Sequence, residues 1–536
     1  MTTALFNRHL LYVAAAAVLA YAVTILNGFA WDDIVVIAKN PALTGHPAAL
    51  FSGLDTAADA EITPYYRPLP LLTFLAEQRI HGLTPAFMHL ANILLHGVNA
   101  LLLYALVTEI SKNRETALFA ALLFAVHPLN SEGVAFLSGG RNTLLATGFC
   151  LSAYLLNEKS RGGRWYLLPV AALLVTAALL SKESALAILP ILCLAELRHR
   201  SGLGRIWPVA GRIVWYAVSV ALYLRLRTTA LAAAGYSGDI LPGMLSRLAD
   251  NLYMIPRYLL TIIWPPFSSV RYFIPETFHT LALPLAAAWL GILLTLGWLL
   301  SRNRDNMTLF GLVWLLSFWI PTSGIIPFPS ASMADRYLYL PAIGLWIIVA
   351  QQFGRLVQRS RRPGPALAAG GLMLVLLAGL TVQRAMVWKN DVTLFSDYVE
   401  HFPDRAFGHH NLGTAYLDIE KAPVKAEAEF RKVLLLDPAF PKLHTQLGYL
   451  RLLRGDLQGA LTEYNEAVSL YPQDAEALLN RGDILAGMGK YSEAVSSYLR
   501  FLTAPDREFD TVRPAVTQKI LVLQQTAAPP PPGQAP

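Results

Sequence analysis

Apolar stretches of about twenty residues recur through the first 386 positions of this 536-residue chain, and no other feature restricts its folding as much. Hydrocarbon offers no water to backbone N–H and C=O groups, so a crossing segment must satisfy them internally. Helices and closed barrels do this, and a helix needs about 20 apolar residues to cross. We read spans near residues 10–29, 86–110, 115–127, 142–157, 165–181, 183–197, 207–227, 281–301, 307–326, 337–357 and 366–386. The shorter ones are read as spans whose ends are buried in protein. The segment 247–264 carries Pro256 and Arg257 in its middle and is read as interfacial or re-entrant. Hydrophobic residues make up 54% of the chain and charged residues 15%, which excludes an ordinary soluble globular protein. The first run lacks a small-residue cleavage site and is read as a retained span.

The loops give an orientation. Basic residues cluster at Arg8, at Lys112 and Arg114, at Lys159, Arg161 and Arg164, and at Arg198, Arg200 and Arg205. They recur at Arg302 and Arg304, and from Arg355 to Arg362. All of these share one side if 247–264 does not cross, and the positive-inside rule makes that side cytoplasmic. The count is then eleven, with everything after residue 386 outside. The net charge of +7 is explained by these loops, which argues against nucleic acid as a partner. Cys150 and Cys193 lie in apolar segments and form no disulfide framework or metal motif.

This topology gathers ionisable residues at the outer face. Asp32 and Asp33 leave the first span in "FAWDD". Tyr66 and Arg67 follow in "YYRPL", and His127, Glu132 and Arg141 lie in "FAVHPLNSEGVAFLSGGRNTLLA". Lys182 and Glu183 stand in "LLSKES", and Asp335 and Arg336 in "DRYLYLP". Singly, each has an ordinary role: an aspartate caps a helix, His127 before Pro128 ends one, and an arginine snorkels to headgroups. Together they sit where a lipid headgroup lies. Arginine forks suit phosphate, and a carboxylate can take a proton from a hydroxyl. A transporter would instead place its charges near the bilayer midplane.

After residue 386 the composition turns polar and a 34-residue period appears. Ala426, Ala460 and Ala494 keep it, as do Phe430, Tyr464 and Tyr498. Gly448 and Gly482 share the spacing, and Pro438 and Pro472 close two units. This is the register of tetratricopeptide helix pairs. We read three, at 407–440, 441–474 and 475–508, after a leading helix at 389–402. Such repeats build a concave peptide-binding surface, here expected to be lined by His409, Asn411 and Gln446. The Pro-rich tail reads as disordered.

These motifs, with "HGLTPAFMHLANILLH" between them and the repeats after them, resemble the transmembrane-and-tetratricopeptide-repeat O-mannosyltransferases and their bacterial relatives. The resemblance covers nearly the whole chain. It implies a glycosyltransferase C fold, a polyprenyl-phosphate-linked sugar donor, and catalysis on the outer membrane face with a first-loop acidic residue as base. That base maps to Asp32 or Asp33. The family often carries an acidic residue after the arginine of its second motif, where this chain has Asn142.

The expected architecture is therefore all-α. A polytopic bundle of glycosyltransferase C type with about eleven spans occupies 1–388, a tetratricopeptide α-solenoid 389–508, and a C-terminal segment 509–536. The expected function is inverting transfer of a sugar to a hydroxyl of a protein acceptor captured by the repeats. Asp32 or Asp33 would be the base, and Arg141, Arg336 and Lys182 would hold the donor phosphate. Tyr66, Arg67, His127, Glu132, Glu183 and Asp335 are candidates to line the substrate site. No motif calls for a cofactor, and a divalent metal is compatible with the acidic residues. Expected partners are the lipid-linked donor, membrane lipid and acceptor protein, in a bacterial inner membrane with the site and repeats on the periplasmic side. Two rivals are a transporter or lipid flippase with a periplasmic repeat domain and a non-catalytic scaffold that recruits partners; within the enzyme reading, the alternative acceptor is a glycan or lipid.

Overall fold

A computed structural model describes residues 2–44, 49–52, 65–161, 163–198, 206–233, 244–265, 269–272, 287, 291, 306–322, 333–506 and 509–527. The expected span 281–301 and the Pro-rich tail lie outside the described residues, apart from two isolated positions. The described residues are helical and contain no strand. They divide into two compact units, one reaching Asn390 and the other running from Asp391.

Among the described residues, three helices are long and apolar enough to cross a membrane: Asn7–Leu26, Pro85–Ser111 and Pro363–Val387. A fourth span arises if Arg114–Val126 and Pro128–Ala135, bent by 53°, count as one. Leu167–Ser181 and Asn306–Thr322 are apolar but shorter. The helix Ile206–Ala233 is long enough and carries Arg212, Arg225 and Arg227. The expected segment at 247–264 forms the helix Met244–Ile263 with Pro256 inside it.

The helix Pro85–Ser111 shows how the first unit is assembled. Its apolar sequence is interrupted by His89, Asn92, His96 and Asn99, three or four residues apart and therefore on one face. All four are buried. Each meets a backbone carbonyl of another segment: His89 Nε2 lies 3.3 Å from Gly28 O, and Asn92 Nδ2 donates to Val134 O at 3.0 Å. His96 Nε2 lies 3.1 Å from Ala125 O, and Asn99 Nδ2 donates to Leu144 O at 3.0 Å. Helix ends leave carbonyls without intrahelical donors, and in lipid those groups cannot turn to water. His96 and Asn92 thus meet two carbonyls, of Ala125 and Val134, at the bend between Val126 and Leu137. At the other end of helix Leu137–Lys159, Glu196 accepts bonds from both Arg161 and Arg212.

Close helix contact is set by glycine at one crossing. Gly311 and Gly344 face each other between Asn306–Thr322 and Pro341–Arg359, and a Cβ on Gly344 would meet Leu315 N at 2.7 Å. Small residues are the usual means by which membrane helices approach.

The second unit holds the helix Asp391–His401 followed by three pairs: Ala406–Asp418 with Pro423–Leu436, Leu443–Leu453 with Leu457–Leu470, and Ala475–Gly487 with Tyr491–Thr503. The helix Arg513–Ala527 packs on the last pair, and its Val516 and Ile520 enter that core. The period has a packing cause. Ala426, Ala460 and Ala494 are fully buried, and Phe430, Tyr464 and Tyr498 lie against Gly413, Gly448 and Gly482. A Cβ on Gly482 would stand 2.5 Å from the Tyr498 ring. Gly482→Ala should therefore destabilise the isolated repeats by about 1–3 kcal/mol through overpacking. Denaturant unfolding of that fragment measures it, and an unchanged midpoint would refute this reading of the period. His409 is buried, bonded to Glu429 at 2.6 Å and to Pro403 O at 2.8 Å, and His444 makes the equivalent pair with Glu463 at 2.9 Å. The expectation that His409 lines an open groove is thus corrected: it pins the two helices of its pair together. Asn411 and Gln446 remain partly exposed.

Candidate active site

The first-loop aspartates separate into two environments. Asp33 is 1% exposed. One oxygen accepts from Ser138 N at 2.7 Å and the other from Ala30 N at 3.3 Å. Ser138 belongs to the first turn of helix Leu137–Lys159, whose own N-cap, Phe136, makes no side-chain cap bond. Asp33 therefore caps that helix from 105 residues away in sequence. An anion there also meets the positive end of the helix dipole. Burial nevertheless pushes its carboxyl up to about 7, against the lowering effect of the bonds from Ser138 and Ala30. Asp32 is exposed, and its charge acts on both Asp33 and Arg336.

Arg336 and Glu132 form the next layer. Glu132 sits in the short helix Ser131–Ala135 and is buried. It accepts the Arg336 backbone N–H at 2.8 Å and a guanidinium N–H from the same residue. Burial opposes the charge on Arg336, but Glu132 outweighs it and keeps the group protonated. The neighbouring Asp335 accepts from Tyr272 Oη at 2.6 Å. Arg67 pairs in the same manner with Glu183, its Nε at 2.9 Å from the carboxylate, and lies over the Tyr65 ring.

Lys182 lies among these pairs. It separates helix Leu167–Ser181 from the turn Glu183–Ala187 and is 7% exposed. Its Nζ donates to Thr143 Oγ1 at 2.8 Å and stands 5.5 Å from the Tyr337 ring centre. Among the described residues it has no carboxylate at ion-pair distance. Burial, reinforced by the positive Arg67 and Arg336, pushes its amine down to about 7. Two arginines, Lys182 and two glutamates thus share this site, and an incoming anion would favour the charged form of Lys182.

The structure places the other expected residues outside this centre. Arg141 lies inside helix Leu137–Lys159 and is 1% exposed. Its Nε donates to Asn92 at 2.6 Å, its Nη1 to Thr73 at 3.0 Å and Glu77 at 2.7 Å, and its Nη2 to Met88 O at 3.1 Å and Glu77 at 3.3 Å. A guanidinium has five N–H donors, and these bonds use them all, leaving none for a donor phosphate. Arg141 joins helix Pro68–His81 to the two long helices beside it. His127 accepts the Leu129 N–H at Nδ1 and meets Ile262 O at Nε2, so both ring nitrogens are engaged in shaping the bend. Tyr66 is buried and donates to Phe51 O at 2.9 Å.

Glu77, Thr73, Asn92, Thr143, Ser138 and Tyr272 were not foreseen. Asn92 could have been found from the 3–4 spacing of polar residues in an apolar helix. Glu77 is the lone acid of Pro68–His81. Ser138 and Tyr272 contribute through tertiary placement, which leaves no sequence signal. Among the described residues, no three His, Cys, Asp or Glu side chains converge in a manner that could hold a metal.

Comparison with known proteins agrees with the motifs. The family model described as dolichyl-phosphate-mannose-protein mannosyltransferase matches residues 79–226, and tetratricopeptide-repeat models match 451–489 and 475–505. The chain is 28% identical to protein O-mannosyl-transferase F38B6.6 of Caenorhabditis elegans, over 81% of this chain and 63% of that protein. It is 26% identical to human protein O-mannosyl-transferase TMTC1, over 82% of this chain and 56% of that protein. The mouse protein O-mannosyl-transferase TMTC3 is also 26% identical, over 83% of this chain and 53% of that protein. The alignments thus span between about half and two thirds of these relatives. The resemblance to the transmembrane-and-tetratricopeptide-repeat family rests on both parts of the chain.

Proposed function

We propose that this chain is an integral membrane glycosyltransferase of C type, with about eleven spans, that transfers a sugar from a polyprenyl phosphate to a protein hydroxyl. The reaction takes place on the extracytoplasmic face, which is the periplasmic side in a bacterial inner membrane. Support for the reaction class comes from the relatives' names and the matched family model. The observation that carries the site is the pairing pattern. Glu132 and Glu183 engage Arg336 and Arg67, while Lys182 lacks a carboxylate partner among the described residues and Asp32 is exposed beside the cluster.

In this reading Asp32 is the base and Asp33 positions it. Asp33 has both oxygens committed to backbone N–H groups and is closed to water. Asp32 accepts the acceptor hydroxyl's proton as that oxygen bonds to the anomeric carbon. The bond from that carbon to the phosphate oxygen breaks, and the electron pair leaves with the polyprenyl phosphate. Backside attack inverts the anomeric centre. Lys182 and Arg336 stabilise the charge growing on the phosphate, a contribution that is usually large in catalysis. Arg141 has a positioning role through Glu77 and Asn92. The repeats bind acceptor polypeptide and raise its local concentration without contributing to the chemical step.

Lys182→Met keeps much of the side chain's length and removes its charge. Transfer by the purified variant should fall by about 10²–10³, the range seen when one charge-stabilising donor is lost, while its thermal unfolding matches wild type. An unchanged rate would remove Lys182 from the reaction and with it the phosphate assignment.

A further inference from the structure

The tryptophan before the acid pair has an unusual backbone. Trp31 has φ +54°, in the left-handed region. The other non-glycine residues with positive φ among the described ones are Lys112, Lys421 and Lys442, all beside helix ends. A bulky residue in this region is a genuine outlier, and such strain gathers at functional sites. The conformation lays the indole on Phe136, with ring centres 5.6 Å apart and planes 17° from parallel. Phe136 in turn stacks on Trp388 at 4.9 Å and 20°. Phe136 and Trp388 are 1% exposed, whereas Trp31, at the end of the column, is partly exposed. The Arg336 guanidinium lies 5.5 Å from the Phe136 ring centre. One column of rings therefore runs from the interior to a tryptophan that adjoins Asp32 and stands one ring away from an arginine of the phosphate cluster.

We propose that Trp31 is a specificity-determining contact for the donor's sugar, with the indole as the apolar wall against which the C–H face of the pyranose rests. This deepens the reading above and rests on it. The column's rigidity explains why a strained backbone is tolerated. Phe136 and Trp388 hold the indole in place before any ligand arrives, and the bonds from Ala30 and Ser138 to Asp33 fix the turn that carries it. The sugar is then held between Trp31 and the cations on the phosphate, with Asp32 on the side from which the hydroxyl comes.

The experiment compares two ligands on the full chain in detergent: a short polyprenyl phosphate bearing mannose, and the same polyprenyl phosphate without the sugar. Trp31→Leu should weaken the mannosylated ligand by about tenfold, the upper range for a well-placed aromatic contact. It should leave the bare phosphate within about twofold, because the cations that hold it are unchanged. Trp31→Tyr should recover most of the loss. Equal weakening of both ligands means that Trp31 only braces the loop, and no weakening of either means that it contacts nothing. Either result overturns the proposal. If the wild-type chain binds neither ligand, the donor assignment itself fails and this inference fails with it.

Discussion

Replacing Asp32 with asparagine is expected to lower the rate of sugar transfer by about 10²–10⁴, the usual cost of losing a general base. Donor binding and thermal stability should stay close to wild type. The side chain keeps its size and its exposed position and loses its charge and its ability to take a proton. Asp33→Asn should behave differently. An amide offers one acceptor oxygen where two backbone N–H groups now bond, so one buried donor loses its partner at a cost of about 1–3 kcal/mol. Its main effect should be on stability, with the transfer rate falling as far as the turn that carries Asp32 loosens. Measuring rate and unfolding midpoint on both variants separates the two roles. A stable, inactive Asp33→Asn beside an active Asp32→Asn would exchange them.

Arg141→Met is expected to damage the membrane unit itself. The substitution leaves Glu77 without its bidentate partner and removes the donors to Thr73, Asn92 and Met88 O. Breaking a buried pair from one side typically costs about 3–5 kcal/mol, a large part of a domain's net stability. The solubilised variant should unfold at a markedly lower temperature or fail to accumulate, and the double variant Arg141→Met with Glu77→Gln should recover part of the loss. A stable Arg141→Met that fails only in donor binding would return Arg141 to the phosphate site, despite the five bonds it makes here.

These expectations show where sequence reading reached and where it stopped. The repeat unit was legible because its rule is local and repeated: a glycine faces an aromatic ring one helix away, in three successive units. The cluster of ionisable residues was legible as a set of residue types, and the structure brings Glu132, Arg336, Lys182, Arg67 and Glu183 together. What the sequence withheld was the pairing. Arginine suits phosphate and also suits a buried glutamate, and only tertiary placement decides which it meets, so Arg141 and Arg336 looked alike. The two aspartates were equivalent for the same reason, since one residue of offset separates a helix cap from an exposed carboxylate. The span count was the least legible part. Eleven apolar runs were read as crossings, while among the described residues three helices are long and apolar enough to cross, or four if the bent pair Arg114–Val126 and Pro128–Ala135 is one span.

The most direct test of the account is the anomeric configuration of the product. The purified full chain, reconstituted in vesicles, is given a carbon-13-labelled β-mannosyl polyprenyl phosphate and a serine- and threonine-containing acceptor peptide. The glycopeptide is then read by the one-bond C–H coupling at the anomeric carbon. Direct displacement with Asp32 as base predicts an α-linked mannose on a hydroxyl oxygen and free polyprenyl phosphate in equal amount. A β-linked product would require a covalent intermediate that this site does not account for, and the absence of any transfer would contradict the proposed function.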